Sequence, residues 1–254
     1  MTLPVKFGQP AYRLYRLVWT GLDWLYPPYC GGCGKRGIRW CLDCSQRVQR
    51  LMPPFCPSCG AETSEEAPCT TCEKISYHYS AVRSVCYYDG PIRQAILGLK
   101  YKGDMGLGEA LASDLINLFC SLRWNVDVIL PVPIGMTRQA ERGYNQAALL
   151  AVPLALATET HYESKALRKV RLTRSQVGLS REERVQNVAG AFHADSKIVA
   201  NQRILVVDDV MTTGATLDAC AVALKNAGAG EVYCLTLARA HHYSSNRGEQ
   251  NDLA

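Results

Sequence analysis

The sequence predicts an α/β fold, a mostly parallel sheet with helices on both faces, preceded by a small cysteine-rich domain. Three observations carry that expectation. Eight of the 12 cysteines fall in four Cys-x-x-Cys pairs within the first third of the 254 residues. After Cys72, short aliphatic runs alternate with stretches of helical apolar spacing, the pattern of strand–helix–strand units. One of those runs, "RILVVDD", passes through a Thr/Gly-rich loop into a helix.

Bulk composition sets the outer bounds. A chain of 254 residues holds one sizeable domain and a small one. The net charge of +5 is mildly basic, which allows phosphate-bearing partners without requiring them. No run of 18 apolar residues occurs, so no transmembrane helix is expected. Arg13, Arg16 and Asp23 interrupt the first apolar stretch, which does not read as a signal peptide. Together these features predict a cytoplasmic protein.

The first segment, residues 1–28, contains "AYRLYRLVWTGLDWL". Leu14, Leu17, Val18, Leu22 and Leu25 recur there at helical spacing, and packing against the head or the core is expected in preference to binding at a membrane surface.

Residues 29–76 form the cysteine-rich domain. Its pairs are Cys30/Cys33, Cys41/Cys44, Cys56/Cys59 and Cys69/Cys72. A Cys-x-x-Cys turn points two thiolates at one ion, and two turns complete a tetrahedron. The interval is poor in aliphatic residues and cannot hold itself by packing alone, which favours structural zinc, one ion or two. Disulfides would require an oxidising compartment that nothing else suggests. Sequential and interleaved sites use the same cysteines. Sequential sites are favoured because the seven- and nine-residue gaps close small loops at lower entropic cost. Lys35, Arg36, Arg39, Arg47 and Arg50 read either as a solvated face or as a contact surface for nucleic acid.

Residues 77–240 form the larger domain. "YSAVRSVCYYDG" alternates like a strand or hairpin. "PIRQAILGLKYKGDMGLGEALASDLINLFCSLRW" has helical spacing, with Pro91 in a first turn and a break near Gly103. "VDVILPVP" reads as a buried strand, and "GYNQAALLAVPLALATET" as a helix disturbed at Pro153. "RILVVDD" is a strand, "TLDACAVALKNAG" a helix closed by Gly228, and "EVYCLTLAR" a further strand. Residues 241–254 form a polar tail. In such sheets ligands bind beyond the carboxyl ends of the strands, where the acids of "VVDD" lie.

That motif has three readings. A receiver domain needs several strand–helix units after its acids, and only one helix and one strand follow Asp209. A Walker B strand needs an upstream G-x-x-x-x-G-K-[ST], which is absent. The third reading fits the whole stretch. Backbone amides from Thr212 to Thr216, with the threonine hydroxyls, can wrap a monophosphate at a helix N-terminus, and Gly214 lets the chain turn around it. Carboxylates repel phosphate but accept hydrogen bonds from two vicinal hydroxyls one sugar ring away. Asp208 and Asp209 beside Thr212, Thr213, Gly214, Ala215 and Thr216 therefore suit a ribose 5-phosphate.

This stretch, with its DDxxTTG core, resembles the hallmark of type I phosphoribosyltransferases. The resemblance implies that Asp208 and Asp209 hold the ribose hydroxyls, directly or through Mg²⁺, and that the ligand is phosphoribosyl pyrophosphate or a nucleotide. The pyrophosphate then needs Mg²⁺ and donors on a neighbouring loop. "PVPIGMTRQAERGYNQA" offers Arg138, Arg142, Gly143 and Asn145. The segment "LRKVRLTRSQVGLSREERVQNVAGAF", with six Lys/Arg from Arg168 to Arg184, reads as a basic loop closing over a polyphosphate or as a surface helix, with Arg174 a candidate contact. Lys100 and Lys102 in "GLKYKGD" are further candidates.

Taken in order, the Cys-x-x-Cys head, "LKYKGD", "PVPIGMTRQAERGYNQA", "RLTRSQVGLSREERVQNVAGAF" and "VVDDVMTTGAT" resemble the ComF/GntX family, competence-associated phosphoribosyltransferase-like proteins with an N-terminal double zinc ribbon. The resemblance covers most of the chain from Cys30 to Arg239 and implies a role in DNA uptake, natural transformation or use of external DNA. It names no acceptor. Two classes of function follow: an enzyme that transfers phosphoribose through C1, or a non-catalytic module that senses a nucleotide or binds single-stranded DNA, with proteins of the uptake machinery as partners.

Overall fold

A computed structural model describes residues 9–174 and 178–241. The first elements are helix α1 (Pro10–Leu25) and the short helix α2 (Leu42–Gln46). Strand β1 (Ala81–Tyr87) leads into α3 (Gly90–Tyr101) and α4 (Gly106–Leu122), and β2 (Val128–Pro131) into α5 (Met136–Arg142) and α6 (Gln146–Thr158). Next come β3 (His161–Tyr162), β4 (Leu167–Lys169), α7 (Arg181–Val188), β5 (Phe192–Ala194) and α8 (Ser196–Val199). β6 (Ile204–Met211), α9 (Ala215–Asn226) and β7 (Val232–Arg239) complete the order.

β1, β7, β6, β2 and β3 form one sheet in that order, and every pairing in it is parallel. Side chains alternate across a strand, so β6 serves two cores. Leu205 and Val207 join α3, α4 and α6 on one face, whereas Ile204 and Val206 join α9, β4 and β5 on the other. Burial of both faces explains why the strands read as near-continuous aliphatic runs.

Asp89 caps α3 and Pro91 sits in its first turn, as the sequence predicts. The break falls between Tyr101 and Gly106, with Gly103 at φ +69°. Pro153 lies within α6, which continues through it.

Of the strand and the hairpin expected for "YSAVRSVCYYDG", the structure has the strand, β1, paired with β7. Its other side is covered by the cysteine-rich segment, where Leu51 N–H donates to Val85 O and Val82 N–H to Ser58 O. The basic segment after Arg168 is neither wholly loop nor wholly helix. Lys169 lies in a two-stranded antiparallel ribbon, and Ser180 with Glu183 forms the capping box that starts α7.

A further correction concerns α1, which packs on the core through its other face. Tyr12 is buried among residues of α4 and α6, Asp23 receives Arg39 Nε at 3.0 Å, and the Arg39 guanidinium lies 4.8 Å from the Trp19 ring. Leu14, Leu17, Val18, Leu22 and Leu25 stay exposed, at 41–66 %. Large aromatic side chains with polar tips combine apolar burial and hydrogen bonding, so the aromatic face docks in preference to the leucine stripe. No helix among the described residues is long and apolar enough to cross a membrane.

Candidate functional site

A cavity of about 980 Å³ opens beyond the carboxyl ends of β2 and β6. Asp208 and Asp209, on β6, border it together with Thr212, Gly214 and Thr216 at the mouth of α9. Gly214 has φ +83°, a conformation that favours glycine, and this turn carries the chain from the end of β6 into α9. Thr213 Oγ1 accepts from the Ala215 amide at 3.4 Å. The helix mouth and the acids thus face one space, the anion-friendly end beside the hydroxyl-accepting end.

The rest of the wall is cationic. Arg93, Lys100, Arg138, Arg142, Lys169 and Arg184 line it, against Glu141, Asp208 and Asp209. Lys100 Nζ lies 3.1 Å from Asp209 Oδ2, an ion pair from α3 to β6. Burial lowers the Lys100 pKa, but Asp209 and Asp208 outweigh it and hold the ammonium above its ordinary value. Burial first, then the charge of Asp209, push Asp208 up to about 7, against the pull of Lys100 and the Asp209 amide, which donates to Asp208 Oδ1 at 2.8 Å. Lys169 is pulled below its ordinary value by burial and then by Arg138 and Arg171. Six cations against three acids leave the wall with an excess of positive charge, which favours a multiply charged anion.

The eight cysteines of the head form two clusters. The sulfurs of Cys30, Cys33, Cys41 and Cys44 all lie within 4.8 Å of one another, and so do those of Cys56, Cys59, Cys69 and Cys72. Pairing is therefore sequential, as loop length favoured. Backbone amides point at the sulfurs: Cys41 N–H at Cys30 and Cys69 N–H at Cys56, both at 3.4 Å. The donor set fits zinc, since four thiolates at one point need a soft divalent cation. The surroundings fit as well. Zinc with four thiolates carries net negative charge, and the buried Arg239 lies beside the second cluster. It donates from Nη1 to Cys59 O at 2.9 Å, while its Nη2 has no hydrogen-bond partner among the described residues.

Comparison with known proteins gives the same two parts. The phosphoribosyl transferase domain family matches residues 107–249, and the double zinc ribbon domain family matches residues 21–73. Competence protein F of Haemophilus influenzae is 29% identical over 220 residues, 83% of this chain and 90% of that one. DNA utilization protein YhgH of Salmonella typhimurium is 30% identical over 202 residues, 77% of this chain and 88% of that one. Competence protein ComFC of Bacillus subtilis is 28% identical over 207 residues, 78% of this chain and 83% of that one.

The chain belongs to the ComF/GntX family.

In this ComF-family protein the two clusters are the zinc-ribbon sites, each with a closed set of four thiolates and so structural in kind. The candidate ligand-binding residues divide. Lys100, Arg138, Arg142, Asn145, Asp208, Asp209, Thr212, Gly214 and Thr216 border the cavity. Arg142 stacks over Tyr101, 5.0 Å from the ring centre. Asn145 caps α6, accepting from Ala147 N–H at 3.0 Å, and donates to Val132 O at 2.9 Å, so it ties the loop together. Gly143 closes α5 in the left-handed conformation, its amide donating to Gln139 O. Thr213 and Ala215 are not among the residues that line the cavity, and Ala215 is buried. Lys102 lines a second groove, between α1 and the first ribbon. Arg174 is exposed and pairs its backbone with the Asn187 side chain, just before residues 175–177, which lie outside the described residues.

Sequence reasoning did not single out Arg93, Lys169, Arg184, Tyr88 and Tyr101. A signal for Arg93 was present: Arg93, Leu97, Lys100 and Tyr101 recur at helical spacing on one face of α3. Nothing local distinguishes Lys169 or Arg184 from the other basic residues of their segment.

Proposed function

We propose that the cavity binds phosphoribosyl pyrophosphate with Mg²⁺. The observation that carries this reading is the common border of the cavity: paired acids, a helix mouth and a cationic wall around one space. In this arrangement Thr212, Gly214, Thr216 and the amides of the loop hold the 5-phosphate. Asp208 and Asp209 accept hydrogen bonds from the ribose hydroxyls. Arg138, Lys169 and Arg184 hold the pyrophosphate.

Mg²⁺ suits this donor set. It prefers hard oxygen and is commonly held by one or two carboxylates together with substrate phosphates. Asp208 and Asp209 supply the carboxylates, and the metal would neutralise charge building on departing pyrophosphate. The residues of the chain orient the ribose so that C1 lies open to a nucleophile, with the cationic wall preorganised for the leaving group. Asp208 and Asp209 are assigned to the ribose and the metal and no acceptor is identified, so sensing without turnover is the second reading, with the same ligand.

The names of the relatives, competence protein and DNA utilization protein, support a role for this chain in the handling of imported DNA, and the same proposal gives it single-stranded DNA or uptake proteins as partners inside the cell. Calorimetry with phosphoribosyl pyrophosphate and Mg²⁺ tests the site. Tight binding by the wild type that is lost in Asp208→Asn/Asp209→Asn supports it, and equal binding by both overturns it. Pyrophosphate release in a screen of bases and amines then separates turnover from sensing.

A further inference from the structure

The segment that leaves the second zinc ribbon runs directly beneath the loop assigned to the 5-phosphate. Tyr77 lies five residues after Cys72, and its hydroxyl donates to Thr213 O at 3.2 Å. Arg181, at the start of α7, donates to the same hydroxyl. The next residue, His78, donates its backbone amide to Asp218 Oδ1 at 2.5 Å, and its Nδ1 lies 3.2 Å from both oxygens of that carboxylate. Asp218 sits in the first turn of α9. Tyr79 stacks on Tyr77 with ring centres 4.8 Å apart and is 3 % exposed. Both tyrosines lie against Gly214, where an added Cβ would meet the Tyr79 hydroxyl at 3.2 Å and Tyr77 Cε1 at 3.5 Å.

The strap is also fixed at its ribbon end. Cys56, Cys59 and Tyr79 belong to one buried cluster with Met211, Ala215 and Leu217, and Cys69, Cys72 and Tyr77 pack against it. The first ribbon shares none of this. Cys30, Cys41 and Cys44 form a separate small cluster with Trp40.

From this juxtaposition we infer that Tyr77 is a positioning residue for the 5-phosphate loop, and that the second zinc ribbon is the foundation of that loop. The inference rests on the phosphoribosyl reading of the cavity. Its logic is mechanical. A loop that wraps phosphate with backbone amides works only if those amides are held in place before the ligand arrives. Neither Thr213 nor Asp218 is among the residues that line the cavity, and the strap holds both. Loss of zinc from the second ribbon frees Cys72, then the strap, then the loop.

The test uses the full chain and two probes, ribose 5-phosphate and inorganic pyrophosphate, with zinc content measured alongside. Tyr77→Phe keeps the ring and loses the hydroxyl. It is expected to retain both zinc ions, to lower ribose 5-phosphate affinity about 3- to 10-fold, the size of one or so hydrogen bonds, and to leave pyrophosphate affinity unchanged. General destabilisation would lower both affinities together. Cys72→Ser is expected to lose one zinc, to lower ribose 5-phosphate affinity further and to speed amide hydrogen exchange in residues 212–218. If Cys72→Ser does not fold, the Tyr77→Phe result decides. Wild-type affinity for ribose 5-phosphate in Tyr77→Phe, or equal loss of both probes, overturns the inference. A wild type that binds neither probe overturns the phosphoribosyl reading itself.

Discussion

Lys100 Nζ and Asp209 Oδ2 stand 3.1 Å apart, and this one contact joins helix α3 to the acid pair on β6. The Lys100 side chain is 23 % exposed and that of Asp209 8 %, so the pair is mostly withdrawn from water. Two adjacent carboxylates at the edge of a core are costly unless a cation offsets one of them.

Lys100→Met is therefore expected to lower stability by about 1–3 kcal/mol, because it strands Asp209 beside Asp208. It should also raise the Asp208 pKa further, since Lys100 is one of the groups holding it down. Thermal unfolding and the pH midpoint of ligand binding measure the two effects. Unchanged values of both would refute this account of the pair.

Asp208 titrates near pH 7 in the folded protein, above the 3.8 of an ordinary aspartate. The native state thus holds a proton that the unfolded chain has already released. Stability on this account is greatest below pH 4, falls as pH rises toward 7 and then levels. Asp208→Asn removes the penalty and is expected to raise Tm by a few degrees at pH 8, with little change at pH 4. Binding runs the other way. Ionised Asp208 is the form that accepts hydroxyls or holds Mg²⁺, so wild-type affinity should strengthen between pH 6 and 8. The ligand phosphate titrates in the same range, so the quantity to measure is the wild-type profile minus that of Asp208→Asn.

Gly214→Ala places a side chain at φ +83° and brings its Cβ to 3.1 Å from Met211 Cε. Backbone strain and crowding act together at this position. A stability loss of about 1–2 kcal/mol is expected, with a larger loss in ribose 5-phosphate affinity because the loop itself is displaced. Denaturant unfolding and calorimetry give the two numbers, and tolerance in both would show that the turn is not needed.

Arg138→Ala and Lys169→Ala each remove a cation from the wall. Each is expected to weaken pyrophosphate binding about tenfold or more, the scale of a hydrogen bond to a charged group. Ribose 5-phosphate binding should change much less. Equal losses for the two ligands would relocate the pyrophosphate.

Metal analysis is expected to return two zinc ions per chain, and about one after Cys33→Ser. A single zinc in the wild type would mean that one cluster is not a site. Strong chelation should also lower thermal stability, since little aliphatic packing supports the head.

Much of this protein is written locally. Four Cys-x-x-Cys turns specify four pairs of metal-ligating thiolates, because each turn by itself points two sulfurs the same way. "RILVVDDVMTTGAT" specifies strand, acids, turn and helix, because hydrophobic run, left-handed glycine and helix start are all short-range features. Pro91, Gly103 and Gly228 mark real boundaries for the same reason. Other features depend on contacts between distant segments. The leucine stripe of α1 is as regular as its aromatic stripe, and only the shape and charges of the surface it meets, Arg39 among them, select Tyr12, Trp19 and Asp23. Lys169 and Arg184 resemble their basic neighbours until the β4–β5 ribbon and α7 bring them to the cavity.

By itself, then, the sequence determined the Cys-x-x-Cys turns and the phosphate-and-hydroxyl motif, since those need only neighbours in the chain, whereas which turns share an ion waited for the fold. Tertiary structure decided what supports them. Tyr77 and Thr213 are 136 positions apart, and no periodicity links residues so separated. Only the packing of the second ribbon beneath the sheet makes one the support of the other.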